Sequence, residues 1–358
     1  MAVPGTSYGV DIDVVLRQLP PVLRAKLKAQ GFRSDADFIG LQPLELSSEA
    51  GISHDDALTV LQELRGQEFA VLAQSNVQSA KEIFDKERRK KTLVTFCQDL
   101  DQILGGGIRT AQVTEFCGAP GVGKTQIMMQ LAINVQMPTA FNGLDGEAVY
   151  VDTEGSFAAK RCLHMASAFC KHLQKVALRR RDDKLLNEAR QLDPEMILDR
   201  IHYFRARDAT ELLAVVDVLP SFLQGHPKVK IVIIDSIAFH FRQDFDDIGA
   251  RTRRLIQMGQ SLMELAHVKD LAVVMTNHVT TKIMGEGKSR LVPALGDSWA
   301  HTATNRVLCY WQSAKRYAYV FKSPFLPAAG AEFTVSSDGI RGHAQRAPRS
   351  QTVGTKRK

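Results

Sequence analysis

FCGAPGVGKTQIMMQL, at residues 116–131, constrains the architecture of this chain more than any other stretch. An apolar segment runs into a glycine-rich loop, and a run of helix-forming residues begins directly after Gly123-Lys124-Thr125. The spacing Gly-x-x-x-x-Gly-Lys-Thr between a strand and a helix is typical of a P-loop. Its glycines let backbone N–H groups turn toward a β-phosphate without Cβ clashes, and the helix dipole adds partial positive charge there. The stretch therefore predicts nucleotide binding.

The polar side chains of this motif have expected roles. Lys124 reaches the β- and γ-phosphate oxygens, which makes it both a binding and a catalytic candidate, and the Thr125 hydroxyl ligates Mg²⁺. The predicted cofactors are therefore ATP and Mg²⁺. The predicted nucleotide-binding residues of this stretch are Gly118, Ala119, Pro120, Gly121, Val122, Gly123, Lys124, Thr125 and Gln126.

Two carboxylates follow apolar segments that read as strands. KIVIIDS at 230–236 puts Asp235 at the end of a buried strand, where a carboxylate is costly unless it has a partner. Mg²⁺, held directly or through water, is such a partner and would make Asp235 the Walker-B aspartate; the alternative is that it caps the next helix. VYVDTEGSF at 149–157 supplies Glu154, a candidate general base that activates the attacking water. Here the alternative is that Asp152 or Glu154 caps a helix.

Composition restricts the class of protein. The chain has 358 residues, enough for two domains, and 44% of them are hydrophobic. No apolar run approaches the ~20 residues of a membrane span, so we expect no membrane association. The five cysteines form no Cys-x-x-Cys pair, which favours a reducing compartment over a disulfide or metal role.

The net charge of +7 is unevenly distributed along the chain. Residues 343–358 carry five basic side chains and no acidic one, which leaves +2 for all the other residues. This composition predicts a disordered basic tail. The tail is a nuclear import signal through Lys356, Arg357 and Lys358, a nucleic-acid clamp, or a solvated end without a role.

Periodicity divides the chain into four parts. Residues 1–66 show short helices, and two of them are joined by a turn at Gly51, similar to the helix-hairpin-helix. Such small domains contact DNA in some proteins and only protein in others. Residues 67–92 read as a partly helical linker, either a plain spacer or a segment that docks on a neighbouring subunit. Residues 93–342 form the core, and 343–358 form the tail.

Short apolar strands alternate with longer helical stretches in the core. This alternation predicts a mostly parallel central sheet with helices on both faces. The last strands are joined by tight turns, which predict an antiparallel C-terminal extension. The predicted strands are 112–118, 147–154, 201–206, 230–236 and 271–278, followed by 305–311, 316–323 and 331–337. The predicted fold class is α/β, a P-loop ATPase core behind a small all-α N-terminal domain.

The chain resembles the eukaryotic RecA-type recombinases in five motifs, in the order FCGAPGVGKTQ, YVDTEGSF, IVIIDSIAFHFR, LAVVMTNHV and KSPFLP. The resemblance spans nearly the whole chain apart from its first residues and the tail. Three further stretches are similar to a paralogue branch of that family more than to the strand-exchange enzyme itself: TFCQDLDQILGGGI, RQDFDDIGARTRR and LVPALGDSWAHTAT. The resemblance implies a RecA-like core that hydrolyses ATP and binds DNA.

The resemblance also implies roles for individual residues. Glu154 matches the catalytic glutamate of the family, and Arg161 matches the arginine that stacks on adenine. Residues 242–250 match the first DNA-binding loop, and 280–293 match the second. Basic side chains of such loops hold single-stranded DNA by phosphate contacts; incidental charge on a surface loop is the alternative. The implied DNA-binding residues are Arg242, Lys282, Lys288 and Arg290.

Some positions depart from the family pattern. The Asn-Gln pair that senses the γ-phosphate is Asn277-His278 here, which changes the coupling between ATP and the second loop. Lys322 stands where strand-exchange enzymes carry an aspartate that caps the neighbouring subunit's ATP, and with Pro324 it is an implied inter-subunit residue. The first loop is also short. These departures favour an assembly partner with modest turnover.

The predicted function is that of a DNA-binding, DNA-stimulated ATPase subunit in a complex of recombinase paralogues, acting in homologous-recombination repair of double-strand breaks. Two alternatives stay open: an ATP-dependent assembly module with negligible catalysis, and a RecA-fold helicase. The implied partners are single-stranded or branched DNA and other recombinase paralogues. The expected location is the nucleus, with the cytoplasm as a second location.

Overall fold

The structure is a computed structural model that describes residues 19–38, 41, 43–75, 78–242, 245, 247–284 and 288–342. The chain divides into two compact units, Met1–Arg89 and Lys90–Lys358. The tail at 343–358, with the predicted import residues Lys356, Arg357 and Lys358, lies outside the described residues. So do three residues of the first predicted DNA loop, at 243, 244 and 246.

The described part of the first unit is helical. Its helices are α1 (Pro21–Ala29), α2 (Pro43–Ala50), α3 (His54–Ser75) and α4 (Ala80–Arg89). Apolar side chains at helical spacing on α1, α2 and α3 form one core, which contains Leu23, Leu27, Leu46, Ala57, Val60, Leu61 and Leu64. The Ser53 hydroxyl caps α3 by accepting the N–H of Asp56 at 3.1 Å. The predicted helix, turn at Gly51 and helix are present.

The boundary between the units differs from the predicted one. α3 continues to Ser75, so residue 66, the predicted end of the N-terminal domain, lies inside a helix. The predicted linker at 67–92 includes all of α4, which begins with a capping box. The Glu82 carboxylate accepts the N–H of Ser79 at 2.8 Å, and the Ser79 hydroxyl accepts the N–H of Glu82 at 3.2 Å. α4 buries none of its side chains, and the sequence analysis read this segment as part of a partly helical linker.

The described part of the second unit is built on one large sheet. Its strands are β1 (Thr92–Leu93), β2 (Ile108–Arg109), β3 (Gln112–Gly118), β4 (Glu147–Asp152), β5 (Ile201–Arg205), β6 (Val229–Asp235), β7 (Ala272–Asn277), β8 (Val279–Met284), β9 (Lys288–Pro293), β10 (Asn305–Gln312), β11 (Lys315–Lys322), β12 (Ala329–Ser336) and β13 (Gly339–Arg341). Nine of these described strands form the sheet, in the order β13-β12-β11-β10-β3-β7-β6-β4-β5. The segment from β10 to β5 is parallel, and β10 to β13 pair antiparallel. The predicted α/β fold class is confirmed.

Helices cover both faces of the sheet. They are α5 (Gln98–Ile103), α6 (Lys124–Asn134), α7 (Ala159–Arg180), α8 (Asp183–Gln191), α9 (Pro194–Asp199), α10 (Ala209–Gly225), α11 (Ala238–Phe241), α12 (Ile248–Val268) and α13 (Gly296–Ala300). In the part of the chain that the structure describes, none of the helices has the length and apolar character needed to cross a membrane.

Successive residues of the central strands bury opposite faces of the sheet. In β4, Tyr150 packs in the core that includes α6 and α7, and Val151 packs in the core that includes α10 and α12. Ile233 and Ile234 of β6 divide in the same way. Because side chains alternate along a strand, strands buried on both faces read as continuous apolar runs. The carboxyl ends of these parallel strands share one edge of the sheet, and ligands bind at such an edge in open α/β folds.

A buried ion pair joins β3 to β10. Glu115 is fully buried, and its partner in register, Arg306, has a side chain only 7% exposed. The Arg306 Nε donates to one carboxylate oxygen of Glu115. The other oxygen accepts from Trp299 Nε1 at 2.9 Å and from Asn277 Nδ2 at 2.6 Å. Both oxygens of this buried charge therefore have partners.

We expect Glu115→Ala to lower the free energy of unfolding of the second unit by about 3–5 kcal/mol, because it leaves the Arg306 charge buried without its partner. Urea unfolding followed by tryptophan fluorescence measures this, since both tryptophans lie in that unit. Glu332→Ala is the control: it breaks an ion pair of 2.9 Å with Lys315, whose side chain is half exposed, and should cost far less than the loss of Glu115. Equal losses in the two variants would contradict the importance of the buried pair.

Candidate nucleotide-binding site

A cleft of about 330 Å³ opens at the carboxyl edge of the sheet. The P-loop, both predicted carboxylates and the second sensor residue meet there. The lining residues are Pro120, Gly121, Gly123, Lys124, Thr125, Gln126, Glu154, Asp235, Phe239 and His278. Phe239, on α11, was missed by the sequence analysis, since an aromatic residue after an apolar strand reads as ordinary core.

The loop between β3 and α6 requires glycine at two positions. Gly123 precedes α6 with a φ of 108°, in the left-handed region. A Cβ on Gly118 would lie 2.5 Å from the carbonyl oxygen of Cys309 on the neighbouring strand β10. Val122 is fully buried beneath the loop. The first turn of α6 lines the cleft. Its backbone N–H groups have no acceptor within the helix and can therefore bind an anion.

Lys124 is almost completely buried at the base of the cleft. Its Nζ donates to the carbonyl oxygens of Gly118 at 2.8 Å and Ala119 at 3.1 Å. Burial lowers the pKa of the Lys124 ammonium, and the carboxylates of Asp235 and Glu154 act in the opposite direction. The ammonium thus lies where it can exchange its carbonyl partners for phosphate oxygens.

Asp235 is buried at the end of β6, and hydroxyl groups surround its carboxylate. Tyr150 donates at 2.8 Å, Thr276 donates to the other oxygen, and Thr125 forms a further hydrogen bond. Burial raises the pKa of Asp235, and these hydrogen bonds oppose the rise. Asp235 does not cap α11, because that helix has Ile237 at its N-cap and no side-chain cap.

The pair of Thr125 and Asp235 fits a magnesium ion. Mg²⁺ prefers oxygen ligands and commonly takes only one or two protein carboxylates, with water and phosphate oxygens completing its shell. A hydroxyl and a carboxylate in hydrogen-bond contact beside a phosphate-binding helix terminus supply such donors. Among the described residues no cluster of three or more His, Cys, Asp or Glu side chains offers an all-protein metal site.

Glu154 lies beside the Lys124 ammonium, with one carboxylate oxygen held by two donors. His278 Nε2 donates to Glu154 Oε1 at 2.8 Å, and the Ser236 hydroxyl donates to the same oxygen. The hydrogen bond from His278 is the largest cause that lowers the pKa of Glu154; burial opposes it, and Ser236 and Lys124 reinforce it. Glu154 is therefore ionised at neutral pH, and its lowered pKa makes it a weaker base than a free glutamate.

Asp152 fixes the loop that carries Glu154. Its fully buried carboxylate accepts the backbone N–H groups of Glu154 at 3.0 Å, Gly155 at 2.7 Å, Ser156 at 3.2 Å and Phe157 at 3.1 Å. Neither acid caps α7, whose N-cap is Ala158 without a side-chain bond. This supporting role was missed, although an aspartate at a strand end followed by Thr-Glu-Gly is a recognisable signal for such backbone contacts.

Arg161, the predicted adenine-stacking residue, is held at the mouth of the site. Its Nε donates to Gln126 Oε1 at 2.8 Å. Its other guanidinium nitrogens donate to the carbonyl of Ser336, at 2.6 Å, and to that of Ser337. The turn between β12 and β13 thus orients the guanidinium plane, and Gln126 links it to the P-loop helix.

The predicted sensor pair divides between the cleft and the interior. His278 lines the cleft, whereas Asn277 is fully buried and its Nδ2 donates to Glu115 and, at 3.0 Å, to the carbonyl of Ala294. The Ala294 N–H in turn donates to the carbonyl of His278 at 2.8 Å. Consecutive residues at a strand end point in opposite directions, which explains the division. The structure brings only His278 to the other site residues.

The predicted DNA-binding residues lie away from the cleft lining. Arg242 is exposed at the end of α11, and Lys282 is exposed on β8. The second predicted loop, 280–293, largely forms an antiparallel hairpin of β8 and β9, in which Lys282 is opposite Arg290 and Met284 is opposite Lys288. The hairpin therefore carries these three basic positions on paired strands.

The two predicted inter-subunit residues lie at the end of β11 and in the turn after it, in the antiparallel part of the sheet. The Lys322 ammonium donates to the carbonyl oxygens of Ala300 at 2.6 Å and Ala303 at 2.7 Å, and burial lowers its pKa. In this chain it therefore binds the carboxyl end of α13. Pro324 is exposed in the turn between β11 and β12. Their roles toward a neighbouring subunit stay predictions.

We expect His278→Ala to raise the pKa of Glu154, because the substitution removes the hydrogen bond that most favours the charged carboxylate. Carbon NMR of the selectively labelled glutamate carboxyl measures the titration. His226→Ala is the control, since that imidazole stacks on Phe222 and does not line the cleft, and it should leave the titration of Glu154 unchanged. An unchanged Glu154 titration in His278→Ala would show that the hydrogen bond has no electrostatic effect.

Comparison with known proteins agrees with this geometry. The Rad51 family model matches residues 87–181 and 178–343, which is more than half of the chain. A "DNA repair protein RAD51 homolog 3" of Cricetulus griseus is 43% identical over 350 residues, covering 96% of this chain and 95% of the relative. A protein of the same name from Dictyostelium discoideum is 39% identical over 250 residues, covering 70% of this chain and 65% of that relative. The chain therefore belongs to the Rad51 family, as a paralogue among the RecA-type recombinases.

Proposed function

We propose that the chain is a Mg²⁺-dependent ATPase subunit of a complex of recombinase paralogues, acting in homologous-recombination repair of DNA. Members of the Rad51 family are ATPases of the RecA fold, and they bind DNA and assemble with paralogues. The two relatives are named as DNA repair proteins. The observation that carries the proposal is the convergence of Lys124, the Thr125–Asp235 pair and Glu154 in one cleft.

The P-loop side of the cleft would bind and orient the nucleotide. The first turn of α6 offers N–H groups to the phosphates, and the Lys124 ammonium would leave its carbonyl partners for phosphate oxygens. Thr125 and Asp235 would hold Mg²⁺, which, when bound, neutralises charge on the phosphates. Gln126 and the carbonyls of the β12–β13 turn hold the Arg161 guanidinium, which would stack on the adenine ring of the nucleotide.

The opposite side of the cleft would supply the proton acceptor. Glu154 is ionised because His278, Ser236 and Lys124 favour its charged form. It would take a proton from the water that attacks the γ-phosphorus, while the leaving group departs as ADP. Asp152 would keep Glu154 at the cleft through its contacts to the loop backbone.

We expect Lys124→Ala to abolish nucleotide binding and Glu154→Gln to retain binding while slowing hydrolysis by about 10²–10⁴-fold, the usual contribution of a general base. Calorimetric titration with Mg-ATP and a phosphate-release assay measure the two properties. Glu188→Gln, on the exposed surface of α8, is the control and should change neither. A Glu154→Gln protein that hydrolyses ATP at the parental rate would exclude Glu154 as the base.

One observation favours a second function, in which ATP cements an assembly without meaningful catalysis. One oxygen of Glu154 already accepts two hydrogen bonds, and one donor is His278, at the position where the family carries glutamine. A base restrained in this way is slow to reorient toward water. The nucleotide would then act as a structural ligand between subunits.

DNA stimulation distinguishes the two functions. For an ATPase we expect phosphate release by the complete complex to increase on addition of single-stranded DNA, because the β8–β9 hairpin is bonded to the His278 carbonyl at the cleft. The comparison is the same complex carrying Lys124→Ala, which measures background release. Turnover at that background with and without DNA would assign the chain to the assembly module instead.

The proposal extends to DNA contacts and location. Arg242 and the hairpin residues Lys282, Lys288 and Arg290 are proposed to contact phosphates of single-stranded or branched DNA. A nuclear location is proposed from the basic sequence Lys356-Arg357-Lys358 and from the repair function of the relatives.

A further inference from the structure

α7 has an unusual charge composition. The helix and the residue that follows it, 159–181, contain no aspartate or glutamate and seven cations: Lys160, Arg161, Lys171, Lys175, Arg179, Arg180 and Arg181. Surface helices usually mix both signs, because i,i+4 pairs stabilise them and acids in the first turn complement the dipole. Like charges on one helix destabilise it. The rest of the chain body, residues 1–158 and 182–342, carries a net charge of −5, so the positive charge is concentrated on this helix and indicates a function for it.

One face of α7 borders a groove outside the nucleotide cleft. The groove has a volume of about 460 Å³ and lies between α7 and the β12–β13 turn. Its ionisable lining groups are His164, Lys171, His172, Lys175, Asp338 and Arg341. Asp338 is the only acid among them. The groove thus presents a net positive surface.

The exposed cations follow the helix axis. Lys171, Lys175 and Arg179 recur every four residues, which places them in a row with steps of about 6 Å. All three are exposed, and within the described ranges none of them has an ion-pair partner. A row of unneutralised charges suits an extended polyanion better than a compact anion.

Neighbouring groups hold this surface in place. The His172 ring lies 4.8 Å from the Phe96 ring, and the Arg341 guanidinium lies over the same ring at 5.5 Å. Burial lowers the pKa of His172, and the charges of Arg341, Arg179 and Lys175 lower it further, as expected where cations gather. Residues 343–358, with five more basic side chains and no acid, follow Arg341 in the chain.

We propose that this face of α7 binds the phosphate backbone of a nucleic-acid strand, as a second contact surface separate from the β8–β9 hairpin. A phosphate backbone presents regularly spaced charge and binds to cations without a shaped pocket. The inference rests on the DNA-binding part of the proposed function and adds a second surface at which the DNA is contacted. An acidic segment of a partner protein could also supply a row of negative charges, and the test distinguishes such a segment from a nucleic-acid strand.

The test compares two double variants of the full chain that lose equal charge. Lys171→Gln/Lys175→Gln removes two cations of the row, and Lys228→Gln/Lys269→Gln removes two lysines just before β6 and β7, at the opposite edge of the sheet. Anisotropy of a labelled oligothymidylate, titrated over a range of salt, gives the slope of log affinity against log salt. We expect the first variant to reduce that slope by about 1.4, which amounts to about a 25-fold weaker affinity near 0.1 M salt if the proteins coincide near 1 M. The second variant should keep the parental slope.

The outcomes separate this inference from the proposed function. If the parental protein shows no DNA binding at low salt, both the inference and the DNA-binding part of the proposed function are wrong. If the parental protein binds DNA and the two variants have the same slope, the α7 surface is excluded while the proposed function stands. Polyglutamate of equal charge that competes as strongly as unlabelled oligothymidylate would assign the face to an acidic protein and overturn the inference. Mg-ATP binding by both variants, unchanged from the parental value, shows that they are folded.

Discussion

The Asp235 carboxylate lies at the end of β6 with almost no contact with water. Its partners from β4, β7 and α6 are neutral hydroxyl groups, which donate hydrogen bonds but do not neutralise its charge. Burial of a carboxylate among neutral donors is costly, and it raises the pKa of the group. A metal beside Thr125 is the arrangement that would remove this cost. Because Thr125 belongs to the first turn of α6, the same constraint would place the phosphates of a bound nucleotide at the amino end of that helix.

The other half of the site depends on hydrogen bonds that two further acids, Asp152 and Glu154, accept. Asp152 accepts successive backbone N–H groups and so determines where the chain places Glu154. The His278 hydrogen bond is the largest cause of the lowered pKa of Glu154. The position and the proton affinity of the candidate base are thus controlled by different residues, Asp152 at the end of β4 and His278 just after β7. A substitution at one of them should therefore affect geometry or acidity separately.

Much of this architecture could be predicted from the sequence, for physical reasons that particular residues illustrate. The P-loop is local, so its spacing alone identified Lys124 and Thr125, and the doubly buried strands are long apolar runs, so the place of Asp235 was readable. Contacts between parts of the chain that are distant in sequence could not be predicted from it. The carbonyl partners of Lys322 and the inward turn of Asn277 depend on how α13 and the β8–β9 hairpin pack. α4 was read as part of a linker, although the residues of its capping box, Ser79 and Glu82, can be recognised in the sequence.

The β8–β9 hairpin is fixed at its base by both backbone groups of Ala294. Its carbonyl accepts from the Asn277 side chain, and its N–H donates to the His278 carbonyl. Beyond this attachment each strand of the hairpin has six residues, an arm of roughly 20 Å at the usual rise per residue. An arm attached at its base passes a movement of that base along its length. A shift at His278 on nucleotide binding would therefore reach the paired backbone positions of Lys282 and Arg290.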